Sequence, residues 1–220
     1  MLVRVVRDGG ESKMTVKADT SWIKEICLQW QGRCPADLLE RLMADERCVA
    51  FGPIHHCLVG ASLLACAQRA PLSGGEIAAT EASCESPARA QQALPTSLDA
   101  ALDTLFERAH CVPGAACAQW GVCGAAASCG MAFAIMAENA PLKAAGWSEG
   151  QAMVSEILAA IAKAGAPRCC KRDSRIAVQV ALPWFNEHFD AGLEQPSQVP
   201  VCASMPHNTV CMGPACVYHP

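Results

Sequence analysis

The chain has 220 residues, of which 52% are hydrophobic and only 17% charged, with a net charge of −4. That length supports one domain with a real core and needs no covalent staples to fold. No basic run is present to meet phosphates, which excludes nucleic acid as the main partner, and nothing points to a membrane surface.

The first residues, MLVRVVRD, have neither the apolar core nor the cleavage site of a signal peptide. Fifteen cysteines, an odd number without an export signal, point to a reducing cytoplasm and away from a disulfide framework. Dense cysteine in that setting points to metal or redox chemistry. Residues 1–19 read as an extended lead-in with one strand over 2–6. Asp19-Thr20-Ser21 offers an N-cap for a helix over 22–31, closed by Gly32. Cys34-Pro35 opens a second helix, 36 to about 46, with Leu38, Leu39, Leu42 and Met43 at helical spacing. A third begins near Pro53 and ends before Pro71. Residues 72–86 read as a loop, Ser86-Pro87 caps a helix to about 94, and Thr96-Ser97 caps another to 110.

From Cys111 to Ala137 there is no charged residue, and Cys111, Cys117, Cys123 and Cys129 stand six apart. The window is long enough to cross a bilayer, but Ala, Gly, Cys and Ser contribute little to insertion. A loop over 111–119 followed by a buried central helix over 120–138 fits better. Ser148 with Gln151 makes a capping box for a helix over 149–163. A last helix starts at Asp173 or Ser174 and runs to about 189, kinked or restarted at Pro183. The expectation is a mainly α, single-domain helical bundle over 1–220. It comprises the lead-in (1–19), a helical body (20–190) and an irregular cysteine-bearing tail (191–220).

Four groups carry candidate chemistry. In the central stretch, six residues turn a helix by about 600°, so the four cysteines cannot share one face. A shared site requires Cys111 and Cys117 in a loop folded over the helix start, with Cys123 in the first turn, where the helix dipole favours a thiolate. Cys129 reads as core, and small residues packed for close helix contact are the plain alternative for the whole stretch. The second group is Arg168-Cys169-Cys170-Lys171-Arg172, whose cations and helix start attract anions and lower thiol pKa values. The third is Cys202-x8-Cys211-x4-Cys216, which matches no common zinc or ferredoxin spacing. A fourth ligand would come from His207, His219 or a body cysteine. The fourth is His55-His56-Cys57, where at most one histidine shares a site with Cys57. Walker, dinucleotide, G-x-S-x-G and H-E-x-x-H motifs are absent.

The run CAQWGVCGAAASCG, the NAPL segment with its following Trp, the segment GAPRCCKRDS and the tail cysteines together resemble an uncharacterised cysteine-rich domain family. Its members occur alone or joined to radical-SAM proteins of anaerobic microbes. The likeness covers Pro53 to Cys216, with matches at Cys117, Trp120, Gly121, Cys123, Gly124 and every position from Arg168 to Ser174. The radical-SAM association implies iron–sulfur chemistry over zinc.

The expectation is therefore a cytoplasmic, oxygen-sensitive protein binding an iron–sulfur cluster of the [4Fe-4S] type. Ligands are drawn from Cys57, Cys117, Cys123, Cys169, Cys170, Cys202, Cys211 and Cys216, enough for two clusters. Arg168, Lys171 and Arg172 would hold a small anionic or sulfur-containing ligand at an open iron. The work is electron transfer to a redox partner such as a radical-SAM-type enzyme, or chemistry at that iron, and the sequence leaves carrier and enzyme open. The alternatives are a structural zinc protein that binds a partner, and a metal-free thiol redox enzyme or sensor using Cys169-Cys170. The small-residue helix equally suits a homodimer interface.

Overall fold

The computed structural model describes residues 18–67 and 97–220. The strand expected at 2–6, the loop at 72–86 and the helix at 87–94 lie outside the described residues. The remainder forms one helical bundle: α1 (Ser21–Gln29), α2 (Pro35–Met43), a 3-10 turn (Pro53–His56), α3 (Leu58–Ala67), α4 (Leu98–His110), α5 (Ala116–Gln119), α6 (Gly124–Met136), α7 (Trp147–Ala164) and α8 (Cys170–Phe189).

Helices α3 and α6 form the axis. All ten residues of α3 are buried, because α1, α2, α4, α6 and α8 enclose it. A helix apolar on every face has nowhere else to go. The Ala-, Gly- and Cys-rich α6 crosses α3 at short range. The Gly60 amide donates to Ser128 Oγ at 2.8 Å, and a Cβ on Gly60 would stand 2.6 Å from the Ser128 carbonyl oxygen. The small residues of α6 thus serve close helix packing. Gly60→Ala tests this by sign. Helix propensity alone would stabilise by about 1 kcal/mol, whereas the clash should cost about 1–3 kcal/mol. Urea unfolding should show the loss, and a gain in stability would contradict the close crossing.

The outer helices turn one face inward: Trp22, Ile23 and Cys27 from α1, and Leu38, Leu39, Leu42 and Met43 from α2. Phe133 of α6 meets Phe185 and Phe189 of α8 at 5.8 and 4.8 Å between ring centroids. Pro35 opens α2, and Ser97 Oγ accepts from the Ala100 amide at 3.3 Å to start α4, both as the sequence predicts. Three starts differ. Helix α7 begins at Trp147 behind Gly146 in a left-handed conformation, with no side-chain cap, so Ser148 and Gln151 form no capping box. Helix α6 begins at Gly124 because Gly121 turns the chain at positive φ and Cys123 is extended. Helix α8 begins at Cys170, ahead of the expected Asp173, and continues through Pro183.

The tail (191–220) contains no α-helix, only 3-10 turns at Met205–His207 and Gly213–Ala215. Specific contacts hold it against the body. Asn186 exchanges two hydrogen bonds with Leu193, and Arg33 donates to the Ala191 and Gly192 carbonyls. Buried Tyr218 reaches Gln179 of α8 at 3.2 Å, and the Cys202 amide donates to the Tyr218 carbonyl at 2.8 Å. That bond closes the tail into a loop over the start of α8. Among the described residues no helix is long and apolar enough to cross a membrane.

Candidate functional site

The first turn of α8 organises the site. Cys169 is its N-cap, and its sulfur accepts the Arg172 amide at 3.5 Å. Chain direction changes here from extended to helical, so the neighbouring side chains diverge. Cys169 lines a cavity under the tail, and Cys170 lines a second cavity beneath the 3-10 turn.

The tail cavity is ringed by four cysteines: Cys169, Cys202, Cys211 and Cys216. Its volume is about 20 Å³, room for about one water molecule. The sulfurs act as hydrogen-bond acceptors. Asn208 Nδ2 donates to Cys169 at 3.6 Å, and the Gly213 amide donates to Cys211 at 3.4 Å. The Arg175 guanidinium faces Cys202 and is also held by both Glu40 oxygens, at 2.6 and 2.7 Å. Lys171, Arg172 and Arg175 all line this cavity. With Asp173, they are the buried charged side chains among the described residues. Half-buried Glu40 pairs Arg175, and Asp173 pairs Arg172. That leaves the buried charge of Lys171 without a carboxylate among the described residues, a cost unless an anion completes it. Lys171 donates to the Met43 carbonyl at 2.6 Å, and Arg172 holds Asp173 at 3.0 Å and the Gly165 carbonyl at 2.7 Å.

The second cavity is larger, about 210 Å³, and is lined by Cys117, Cys123, Cys170, His55, His56, Arg168 and Asp173, among others. Short α5 carries Cys117 and the turn before α6 carries Cys123, which is how two cysteines six apart come to share a cavity. Arg168 donates to Cys117 Sγ at 3.1 Å, and that contact raises the Arg168 pKa. His56 packs against Gly124, where a Cβ would overlap its ring. His55 Nε2 meets the Val49 carbonyl at 2.9 Å. A carbonyl only accepts, so this nitrogen carries the ring proton in the neutral imidazole and Nδ1 keeps a free lone pair. Nδ1 of both His55 and His56 is buried and without a hydrogen-bond partner.

Burial pulls the His55 pKa down to about 4, and lowers that of His56. The unfolded chain has His55 at 6.5, so stability is fully present above pH 6.5 and is lost as pH falls toward 4. At about 1.4 kcal/mol per unit the loss from His55 alone is about 3 kcal/mol. Urea midpoints of chelator-treated protein across pH 7 to 4 should show it. A flat profile would contradict a buried neutral His55.

Sequence spacing suggested that cations and helix starts lower the thiol pKa values here. Burial reverses that. It raises those of Cys169 and Cys170, and pushes Cys123 up to about 11. The Arg172, Gly52 and Ala125 amides pull the other way without winning. Such thiols are poor free nucleophiles, yet a metal can still displace their protons.

Other cysteines behave differently. Cys57 lines neither cavity; it is 1% exposed, its sulfur donates to the Ile54 carbonyl at 3.1 Å, and burial pushes its pKa up to about 12. Cys129 donates to the Ala177 carbonyl at 3.8 Å in the core, and exposed Cys111 donates to the Glu107 carbonyl at 3.5 Å. Of the three cations singled out by the sequence, Arg168 belongs to the second cavity, and Lys171 and Arg172 to the first. Sequence reasoning missed Arg175 and Asn208; Arg175 lies one turn after Lys171, a signal that was present. Among the described residues no three His, Cys, Asp or Glu side chains converge tightly enough for a single metal ion.

Residues 23–97 and 88–219 match the model of a family of unknown function, DUF5714. The chain belongs to that family. The DUF5714 match takes in all seven cysteines of the two cavities together with His55 and His56. No curated protein and no solved structure matches the chain.

Proposed function

We propose that this chain is an iron–sulfur protein whose tail loop holds one [4Fe-4S] cluster on Cys169, Cys202, Cys211 and Cys216. One observation carries the reading: four cysteines from the start of α8 and the tail ring a single void, beside the buried charge of Lys171. A cluster with four thiolate ligands is an anion, and Lys171 would offset part of its charge, beside Arg172 and Arg175 with their carboxylates. Amide and Asn208 donors to the sulfurs suit thiolates and tune a cluster's potential. The 20 Å³ void is too small for a cluster as it stands. The tail, without α-helix, is the element that would move outward to admit one.

Zinc fits less well. Zn–S bonds of about 2.3 Å bring four tetrahedral sulfurs to about 3.8 Å from each other. The ligands of a cubane instead bind separate irons, so they need not converge on one point. The resemblance of GAPRCCKRDS to domains joined to radical-SAM proteins favours iron for the same site. Four protein ligands leave this cluster no open iron, so its work is one-electron transfer, with a cytoplasmic redox enzyme of the radical-SAM class as the partner that fits. Raised thiol pKa values count against the metal-free thiol enzyme.

Anaerobic purification followed by absorption spectroscopy and metal analysis tests the reading. The expected result is a brown protein with equimolar iron and acid-labile sulfide, bleached by dithionite. A colourless protein carrying zinc overturns it in favour of the partner-binding clamp. A colourless, metal-free protein overturns it in favour of the Cys169-Cys170 thiols.

A further inference from the structure

The second cavity is a site of different character. It presents three cysteines where the tail cavity presents four, and it has ten times the volume, about 210 against 20 Å³. Its remaining polar groups are Arg168, held on Cys117, and Asp173, whose carboxylate Arg172 holds at 3.0 Å. His55 and His56 complete it. They are 2% and 7% exposed, and each has a buried Nδ1 that no group in the protein engages. The His55 Nδ1 is an acceptor, because Nε2 donates to the Val49 carbonyl. Leaving it unmet is expensive in a folded interior unless a ligand meets it. His56 also meets the Val112 backbone.

We propose that Cys117, Cys123 and Cys170 hold a second iron–sulfur cluster, whose fourth iron takes a small protic sulfur anion of the hydrosulfide class. The proposal rests on the iron–sulfur reading of the tail cavity. Three thiolates complete three irons of a cubane and leave the fourth without a protein ligand. The ligand's sulfur binds that iron, and its remaining S–H donates to a free imidazole Nδ1. Arg168 supplies the positive charge that a small anion requires. The iron and the thiolates favour a soft sulfur donor over an oxyanion. Because Cys169 and Cys170 are adjacent, one peptide link joins the two clusters. Electrons stored at the closed tail cluster thus have a short path to the open one.

The test is iron counting and electron paramagnetic resonance on anaerobically reconstituted full-length protein, with sodium sulfide as probe. Wild type should hold about eight irons, and Cys123→Ala and Cys211→Ala about four each, with different resonance spectra. Sulfide should alter the spectrum of wild type and of Cys211→Ala, and leave that of Cys123→Ala unchanged. His55→Phe or His56→Phe should keep both clusters and weaken sulfide binding about fivefold, the effect of one lost neutral hydrogen bond. Far-UV circular dichroism checks folding, with Cys117→Ala and Cys216→Ala as substitutes for a variant that fails to fold. About four irons in wild type that persist in Cys123→Ala and vanish in Cys211→Ala would overturn the second cluster and leave the tail reading standing. Iron unchanged in Cys211→Ala would overturn the tail reading itself. Two clusters with no response to sulfide would overturn the open iron, and unweakened binding in both histidine variants would overturn their part.

Discussion

Cys211→Ala is expected to remove the tail cluster completely, with about four irons and four sulfides lost per chain. Cys211 sits in an irregular segment between the two 3-10 turns of the tail, and its sulfur accepts the Gly213 amide. No helix packing fixes its position, so the metal would do so. Loss of the ligand should therefore release the tail as well as the iron. Tyr218, 3% exposed, would lose the closure that the Cys202 amide provides. Proteolysis should then cut between Cys202 and Cys216 faster than in wild type. Cys111→Ala is the control: its thiol is exposed and bonds only the Glu107 carbonyl, so iron content should not change. Equal iron in Cys211→Ala and wild type would contradict the assignment.

Arg172→Met carries the second large effect, and it acts on the fold itself. The Arg172 side chain is 4% exposed and that of Asp173 7%. Besides the carboxylate, Arg172 satisfies the Gly165 carbonyl at 2.7 Å. Methionine replaces the volume and strands both acceptors. Removing one partner of a buried pair typically costs about 3–5 kcal/mol. The pH dependence distinguishes this from a packing defect. Burial already holds the Asp173 pKa above its ordinary 3.8, with Arg172 opposing the rise. Without Arg172 the rise is larger and the ionised carboxylate is penalised more. For a carboxylate with a raised folded pKa, stability returns as pH falls and the group takes its proton. The deficit of the variant should therefore be greatest at neutral pH and shrink toward pH 5. A loss under 1 kcal/mol, or one independent of pH, would contradict the buried pair.

Much of the helical architecture was legible in the residues. Leu38, Leu39, Leu42 and Met43 show the period of α2 directly, and Ser97 is an oxygen cap of the usual kind. The start of α8 was not legible, because the cap is a sulfur. Cysteine is not among the side chains that announce a helix start, so the sequence puts that start at Asp173 or Ser174. That displacement mattered for the site. With the helix starting at Cys170, Arg172 and Arg175 fall on the side of the tail, while Asp173 falls on the side of Arg168. Spacing also kept Cys117 and Cys123 as candidates while leaving Cys57 beside them. What separates these is whether the sulfur faces a donor or a carbonyl, as with Arg168 on Cys117 and Ile54 under Cys57. Tertiary contacts decide that, and no local pattern encodes them. The divergence of Cys169 and Cys170 into two cavities is of the same kind.

The most direct test of the tail cluster is electron paramagnetic resonance of the dithionite-reduced protein, comparing wild type with Cys216→Ala. The account predicts a low-temperature signal from the reduced tail cluster in wild type that is absent in the variant, while the distinct signal of the second cluster remains in both. An identical spectrum in both proteins, or no signal in a wild type that holds zinc, would contradict it.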